Sequence, residues 1–508
     1  MASHLIFTPW PNRIKQKNNT PLQLYLILFC RKMWVAQALR CAPIWFVCVA
    51  FFAAASPLLA QDLPQKLSPE AFLAIVRQYH PVARQAGIDV DIARQQLLAS
   101  RGVLDPTIYF SADKKTFDSK NYYNYFNGEL KIPTWFGVDF FAGIENNNGD
   151  FTNDEVTIGK SSYAGIMVPL AKNLVYDRRR ATIEQGKIFV DMSKADRELA
   201  INDLLFDAMD AYWFWALQYQ LLQVLSNAVR INEDRYKLIQ VTVLQGDRAG
   251  VDSTEALTQI LAFKNLRNEA EMNFITAGLD LSNFLWQKNN TPYQLPPNIV
   301  PSVELLSGQV ANITYAPLVE YVNAADANHP KLRGYNFKLS ALDVERRLKF
   351  QSLLPTVNFK YNALAKDYEF WKGWNATSLE NNYKYGIDVG LPLFLRQGRG
   401  DYKAAKLKIE STTIEQDATR LSIDNKVKAY YTQLIQYQQQ IGIAEQSLVA
   451  YQKVFDVEKM RFDIGESSLF LLNSRENKVL EAQQKLSELR AKFYKSLYGV
   501  QWAAGVLR

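Results

Sequence analysis

The sequence predicts a mainly α-helical chain that also carries the strands of a transmembrane β-barrel. Three observations predict it. The same landmarks recur in the same order in both halves, apolar residues repeat every seven positions along two very long proline-free stretches, and segments between prolines alternate apolar with polar residues. Together they describe one plan written twice: a strand hairpin followed by a long antiparallel coiled coil.

The duplication is read from landmark residues. "YHPVARQ" begins at Tyr79 and "NHPKLRG" at Asn328, so two of the three histidines sit in matching His-Pro pairs. At that spacing Pro106 meets Pro355 and "DPTIYFSA" faces "LPTVNFKY"; farther on, "VPLAKN" answers "LPLFLR", and the glycine turn at Gly246 answers the one at Gly465. Copying explains the scarce histidines without a site. A metal pair from His80 and His329 lacks any Glu-x-x-His or similar ligand spacing.

The helices are read from the heptads. Val427, Leu434, Ile441, Leu448, Phe455 and Phe462 are spaced by seven, and Tyr430, Tyr437, Ala444 and Tyr451 fill the position three later. Ala208, Trp215, Leu222, Val229, Tyr236 and Val243 repeat the seam in the first copy. Helices from about Ala181 to Gln245 and from about Gly400 to Ile464 would each run roughly 98 Å. Each stops at a glycine and is followed by a returning helix.

The strands are read from period two. Ile108, Phe110 and Ala112 alternate with polar neighbours, as do Phe136, Val138, Phe140, Ala142 and Ile144; Val357 to Ala363 and Tyr383 to Leu391 do the same in the second copy. Segments of about nine to eleven residues can cross a bilayer when tilted. Phe136, Val138, Phe140, Tyr385, Ile387 and Val389 are expected to face lipid, and Phe370, Trp371 and Trp374 suit an interfacial belt. Two strands per copy give four per chain. Open edges are not tolerated in lipid and the smallest single-chain barrels need about eight strands, so several chains must share one barrel.

Composition narrows the class. An apolar content of 48% with 21% charge fits a folded chain rather than a disordered one. Residues 1–60 hold six of the 58 basic residues and no acid, which leaves 52 basic against 51 acidic in the remainder and no nucleic-acid footprint. Arg40 followed by "CAPIWFVCVAFFAAASPLLA" reads as a signal peptide over 1–60 cleaved after Ala60, and Met33 offers an alternative start that would give it ordinary length. Cys30, Cys41 and Cys48 all lie there, so the mature chain would have no disulfide, thiol or zinc-cysteine chemistry. No nucleophile-base pair, phosphate loop or metal cluster is present in the pattern, and the chain is expected to be neither an enzyme nor a cofactor or metal binder.

The duplicated layout, the His-Pro pairs, the "VPL" and "LPL" joints and the two glycine turns, over Leu67 to Val500, resemble the TolC-like outer-membrane efflux and secretion channels of Gram-negative bacteria. The resemblance implies a trimeric α/β-barrel channel-tunnel, with four strands per chain in a twelve-stranded barrel and helices crossing the periplasm. It implies Pro106, Pro169, Pro355 and Pro392 as strand-helix joints. It divides the chain into a first repeat, 61–298, with strands within 106–169 and a helical hairpin over 177–288, and a second, 299–508, with strands within 355–392 and a hairpin over 400–500. The implied partners are two further copies, outer-membrane lipid, a periplasmic adaptor (membrane fusion) protein and an inner-membrane RND or ABC pump. The implied function is a passive exit duct.

Departures from that pattern matter. Pro106 and Pro169 lie farther apart than Pro355 and Pro392, which leaves room in the first copy for another hairpin, in the wall or above it, with Asn127-Gly128 as its turn. At the tunnel tip the first copy reads "GDRAG" and the second "GESS". Candidate gate residues are Asp247, Arg248, Asp252, Glu255 and Glu466 beside the turns Gly246 and Gly465, with Asp247 and Arg248 expected within reach of Glu466. Asp177 is expected to cap the long helix, with some carboxylate beside Arg178, Arg179 and Arg180. Two other readings compete: an exported coiled-coil scaffold without transport, and a surface-binding role for the loops that could coexist with the channel.

Overall fold

The computed structural model of the chain describes residues 65–153, 155–296, 298–302, 313–368 and 381–507. The signal segment and the aromatic residues Phe370, Trp371 and Trp374 lie outside them. In chain order the elements are β1 (Gln65–Leu67), α1 (Pro69–Tyr79), α2 (Pro81–Arg101), β2 (Thr107–Phe117), β3 (Lys120–Pro133), β4 (Asp139–Asn148), β5 (Gly159–Pro169), α3 (Arg178–Leu244), α4 (Gly250–Ser282), β6 (Ile299–Pro301), α5 (Leu318–Asn328), α6 (Pro330–Gln351), β7 (Thr356–Lys366), β8 (Tyr383–Gly390), α7 (Arg396–Asp463) and α8 (Leu469–Ala503).

The His-Pro pairs are helix starts. Each histidine ends one helix and caps the next: His80 Nδ1 accepts the Val82 N–H at 3.2 Å, and His329 Nδ1 accepts the Lys331 N–H at 3.1 Å. The proline that follows supplies a preset φ at the first helical position, where no N–H is needed.

The two long helices, α3 with 67 residues and α7 with 68, each extend about 100 Å. Asp177 caps α3 by accepting the Arg180 N–H at 2.9 Å. Both helices end alike. Gly246 and Gly465 have φ of 84° and 82°; Asp247 N–H reaches back to the Thr242 carbonyl and Glu466 N–H to that of Arg461. These are Schellman endings, which need a left-handed residue that glycine adopts without steric cost.

At the sheet end α2, α3, α6 and α7 lie side by side; toward the glycine turns the neighbours become α4, α3, α8 and α7. Four helices per chain therefore run at each level. The predicted seam is the core: Ala208, Trp215, Val427, Leu434 and Ile441 are buried together, with Trp213 stacked on Tyr494 at 4.2 Å. Farther along, Val229 packs in one cluster and Phe462 in another with Ile239, Leu469 and Leu472. Among the described residues no helix is long and apolar enough to cross a membrane.

The sheet corrects the sequence reading. It has six strands in the order β2-β3-β4-β5-β7-β8, all antiparallel, so each chain supplies six strands to one sheet rather than four. The room for a further hairpin in the first copy is filled by one that lies in the same sheet. Its turn is not Asn127-Gly128. Asp118 and Ser119, with φ of 52° and 59°, make the tight turn, and Gly128 lies mid-strand, where the Phe110 ring covers it. Phe136 and Val138 fall before β4, in the turn from β3, rather than in a strand.

Candidate functional site

Directly paired residues in a sheet share a face, so the register sorts the side chains. One face carries Ile132, Phe140, Ile166, Tyr361 and Tyr385 in one row and Val168, Phe359 and Ile387 in another. Ile108, Leu130, Ala142, Ala164 and Ala363 form a third row that ends at Tyr383. This face is apolar across all six strands. The other carries Asn127 and Glu145 level with Ser111, and Lys131, Asn362 and Lys384 level with Thr107.

Some polar groups on that second face are partnered, whereas the buried Oδ1 atoms of Asn127 and Asn362 accept no hydrogen bond among the described residues. Tyr163 lies over Gly143, where a Cβ would collide with its ring, and its hydroxyl donates to Glu129 at 2.7 Å. Phe141, an apolar residue on the polar face, has the Lys131 and Lys360 ammonium groups 5.4 and 5.1 Å from its ring centroid. A sheet apolar on one side and polar and charged on the other can stand between lipid and water.

The joint between sheet and helices is built from charge. Arg179 bridges Asp139, at the start of β4, and Asp177, the cap of α3, at 2.5 and 3.0 Å; Lys131 also reaches Asp139 at 3.3 Å. The carboxylates expected beside the arginine run are thus Asp177 and Asp139. Arg180 returns to Asp177 and to the carbonyls of Val175 and Leu174. Arg347 on α6 bonds Glu184 on α3 at 2.5 Å and lies over the Tyr176 ring. Pro106 and Pro355 immediately precede β2 and β7, Pro169 ends β5, and Pro392 follows β8 by one residue.

At the far tip the candidates separate. Arg248 donates to the Phe462 carbonyl at 3.0 Å and stacks on the Phe462 ring at 3.9 Å, rather than pairing with Glu466. Glu255 accepts from Asn473 at 3.4 Å. Asp247 and Glu466 are exposed at the turns and Asp252 is half-buried; none of the three makes an ion pair among the described residues. Sequence reasoning missed a buried network about three turns up from Gly246. There Arg235 forks onto Glu476 of α8 at 2.7 and 3.0 Å, and Asn232 donates to the same carboxylate at 3.1 Å. The signal was present: Asn232 falls three after Val229, a polar residue in the apolar seam. Among the described residues no group of three or more His, Cys, Asp or Glu could hold a metal ion.

Residues 321–506 match the family model described as outer membrane efflux protein. That match takes in most of α5, all of α6 to α8 and strands β7 and β8. Over 86% of its length the chain carries the TolC-like channel fold. It superposes on the crystal structure of the Campylobacter jejuni CmeC outer membrane channel with a TM-score of 0.59 and 16% identity, covering 86% of this chain and 85% of that one. Against the open state of the Neisseria gonorrhoeae MtrE outer membrane channel the TM-score is 0.60 at 15% identity, over 86% and 88% of the two chains. The Vibrio cholerae outer membrane protein VceC gives 0.59 at 12%, over 86% and 96%. No curated protein sequence matches the chain. In this fold the sheet is the candidate membrane wall, and the Gly246 and Gly465 turns lie at the ends of α3 and α7 away from it.

Proposed function

We propose that the chain is the outer-membrane exit duct of a tripartite efflux or type I secretion system. Exported behind the signal peptide of residues 1–60, it assembles as a homotrimer from two repeats, 61–298 and 299–508. It docks on a periplasmic adaptor and an inner-membrane RND or ABC pump, and conducts substrate passively. The observation that carries this reading is one sheet with an apolar and a polar face, continuous at Pro169 and Pro392 with helices of about 100 Å. A coiled-coil scaffold has no use for a two-faced sheet of that extent, whereas a duct through lipid and periplasm needs both parts.

The test is direct. The full-length protein is expected to fractionate with the outer membrane, to need detergent for solubility, and to give trimers that conduct ions in planar bilayers. A detergent-independent soluble protein without conductance would favour the scaffold.

A further inference from the structure

We propose that the β2–β3 hairpin is part of the membrane wall and that its free edge receives β8 of a second copy, so that three copies close an eighteen-stranded, all-antiparallel barrel. The proposal rests on the reading of the chain as a trimeric outer-membrane channel and sets the number of strands each copy brings.

The hairpin is built as wall. All of β2 from Thr107 to Phe117 is paired with β3, and β3 is paired with β4 from Asn124 to Pro133. A hairpin folded above or inside the barrel would not continue the ladder in this way. Its faces match the rest of the sheet. Ile108 and Phe110 lie level with Leu130 and Gly128 on the apolar side, with relative exposures of 68% and 65%, values that leave both rings and chains open for lipid. At the end away from the helices, Phe117, Tyr122 and Phe151 form an aromatic cluster, with Tyr122 and Phe151 4.9 Å apart, as an interfacial girdle requires.

The two edges fit each other. Strand direction alternates across the sheet, so an even number of strands leaves β2 and β8 running oppositely and able to pair antiparallel. Register adds a second condition. The row that starts at Thr107, the first residue of β2, passes through Lys131, Phe141, Gly165 and Asn362 to Lys384, the second residue of β8. Thr107 is at the helix-side end of its strand and Lys384 at the opposite end of its own. The strands are therefore staggered steadily in one sense by most of a strand length, which is the shear a closed tilted barrel needs. β2 and β3 follow the same stagger as the other four.

The helices supply a size. Four per chain at each level make a ring of twelve in a trimer, and at a spacing of about 9 Å that ring measures about 108 Å around. Eighteen strands spaced about 4.8 Å and tilted about 40° give about 113 Å, and twelve give about 75 Å. The wider barrel meets the tunnel without a taper and has a lumen of the width class that holds an aqueous channel. The duct so built suits hydrated or bulky solutes.

The test is a cryo-electron-microscopy map of the full-length protein in lipid nanodiscs. Eighteen strands around a threefold axis are expected. A trimer closed by twelve strands, with the hairpin outside the wall, overturns this proposal alone; a single copy without a closed barrel overturns it together with the trimeric reading. A cross-linking experiment gives an independent readout, with Cys30, Cys41 and Cys48 replaced. Ser111→Cys with Gly386→Cys, both mid-strand on the polar face, is expected to give dimer and trimer bands on oxidation, and neither single variant should give the trimer band. Bands from Glu145→Cys with Gly386→Cys instead would place β4 at the edge and sink the eighteen-stranded closure.

Discussion

His329 shows how one residue can read as a site and serve as a hinge of the fold. Its Nδ1 caps α6, and an imidazolium, which donates at both nitrogens, cannot accept that hydrogen bond. Burial holds its pKa down at about 4 against an ordinary 6.5, helped by Lys331 and Lys426 and opposed by Asp203. A folded-state pKa below the unfolded one means that the folded chain binds fewer protons in that interval. Its stabilisation is complete above about pH 6.5 and is lost as the pH falls from there through about 4. His329→Asn, which keeps an acceptor oxygen at the cap, should leave the thermal midpoint in detergent near that of the parent at pH 7.5 and reduce its drop at pH 5. His329→Ala should lose about 0.5–2 kcal/mol at both values, the usual worth of a lost cap. An unchanged acid slope in the Asn variant would assign the slope to other groups. The duplication was legible from the His-Pro repeats; the capping role was not, because histidine is not among the residues usually sought at a cap.

At the scale of elements, the helices were more legible than the strands, and the reasons are physical. A heptad over about ten turns averages out single exceptions, so Val427, Leu434 and Ile441 could be placed in the core from spacing alone. The β2–β3 hairpin offers no such run. "ADKKTFDSKNYYNYFN" interrupts its alternation with lysines and asparagines, and the pair most suggestive of a turn, Asn127-Gly128, is used instead to let Phe110 lie flat on the sheet. Face assignment is testable at two adjacent residues. Ile387 and Asp388 are both exposed in the single chain but point to opposite sides of β8. Ile387→Arg should cost about 2–4 kcal/mol if it meets lipid near mid-depth, and should lower the yield of assembled, heat-resistant protein. Asp388→Arg on the polar side should assemble normally; equal yields from the two would reverse or erase the assignment. Between the helical hairpins, Arg235 and Glu476 have side chains only 11% exposed, so breaking the pair strands a charge away from water. Arg235→Ala should destabilise by about 3–5 kcal/mol, and a joint change of Arg235 and Glu476 to Leu should recover much of that loss in the same melting assay.

At the scale of the whole molecule, the long helices place the Gly246 and Gly465 turns about 100 Å from the sheet, which in the proposed duct is where closure would lie far from the bilayer. The helix endings were legible from their glycines; the partner of Arg248 within the chain was not, because charges at a turn are as ready to meet backbone as one another. The guanidinium of Arg248 sits on the last turn of α7, against the Phe462 carbonyl and ring. That position favours a cation, since the C-terminal end of a helix carries partial negative charge. It ties the first hairpin's turn to the second hairpin's last turn within one chain, above the apolar cluster of Ile239, Phe462, Leu469 and Leu472. A charged hydrogen bond of about 1.5–3 kcal/mol and a cation–π contact of about 0.5–2 kcal/mol tie the two turns within one chain; in the proposed trimer this contact is repeated three times and is the latch that docking of the proposed adaptor would release. Arg248→Ala should raise single-channel conductance or open probability in planar bilayers. Arg248→Lys, which keeps the charge and loses the planar stacking, should fall between. Asp247→Asn and Glu466→Gln, exposed at the turns, should leave gating unchanged, whereas Asp252→Ala with Glu255→Ala should weaken cation preference without opening the tip. If Arg248→Ala conducts like the parent, closure rests on the apolar cluster beneath it, and Leu472→Ala then becomes the variant expected to leak.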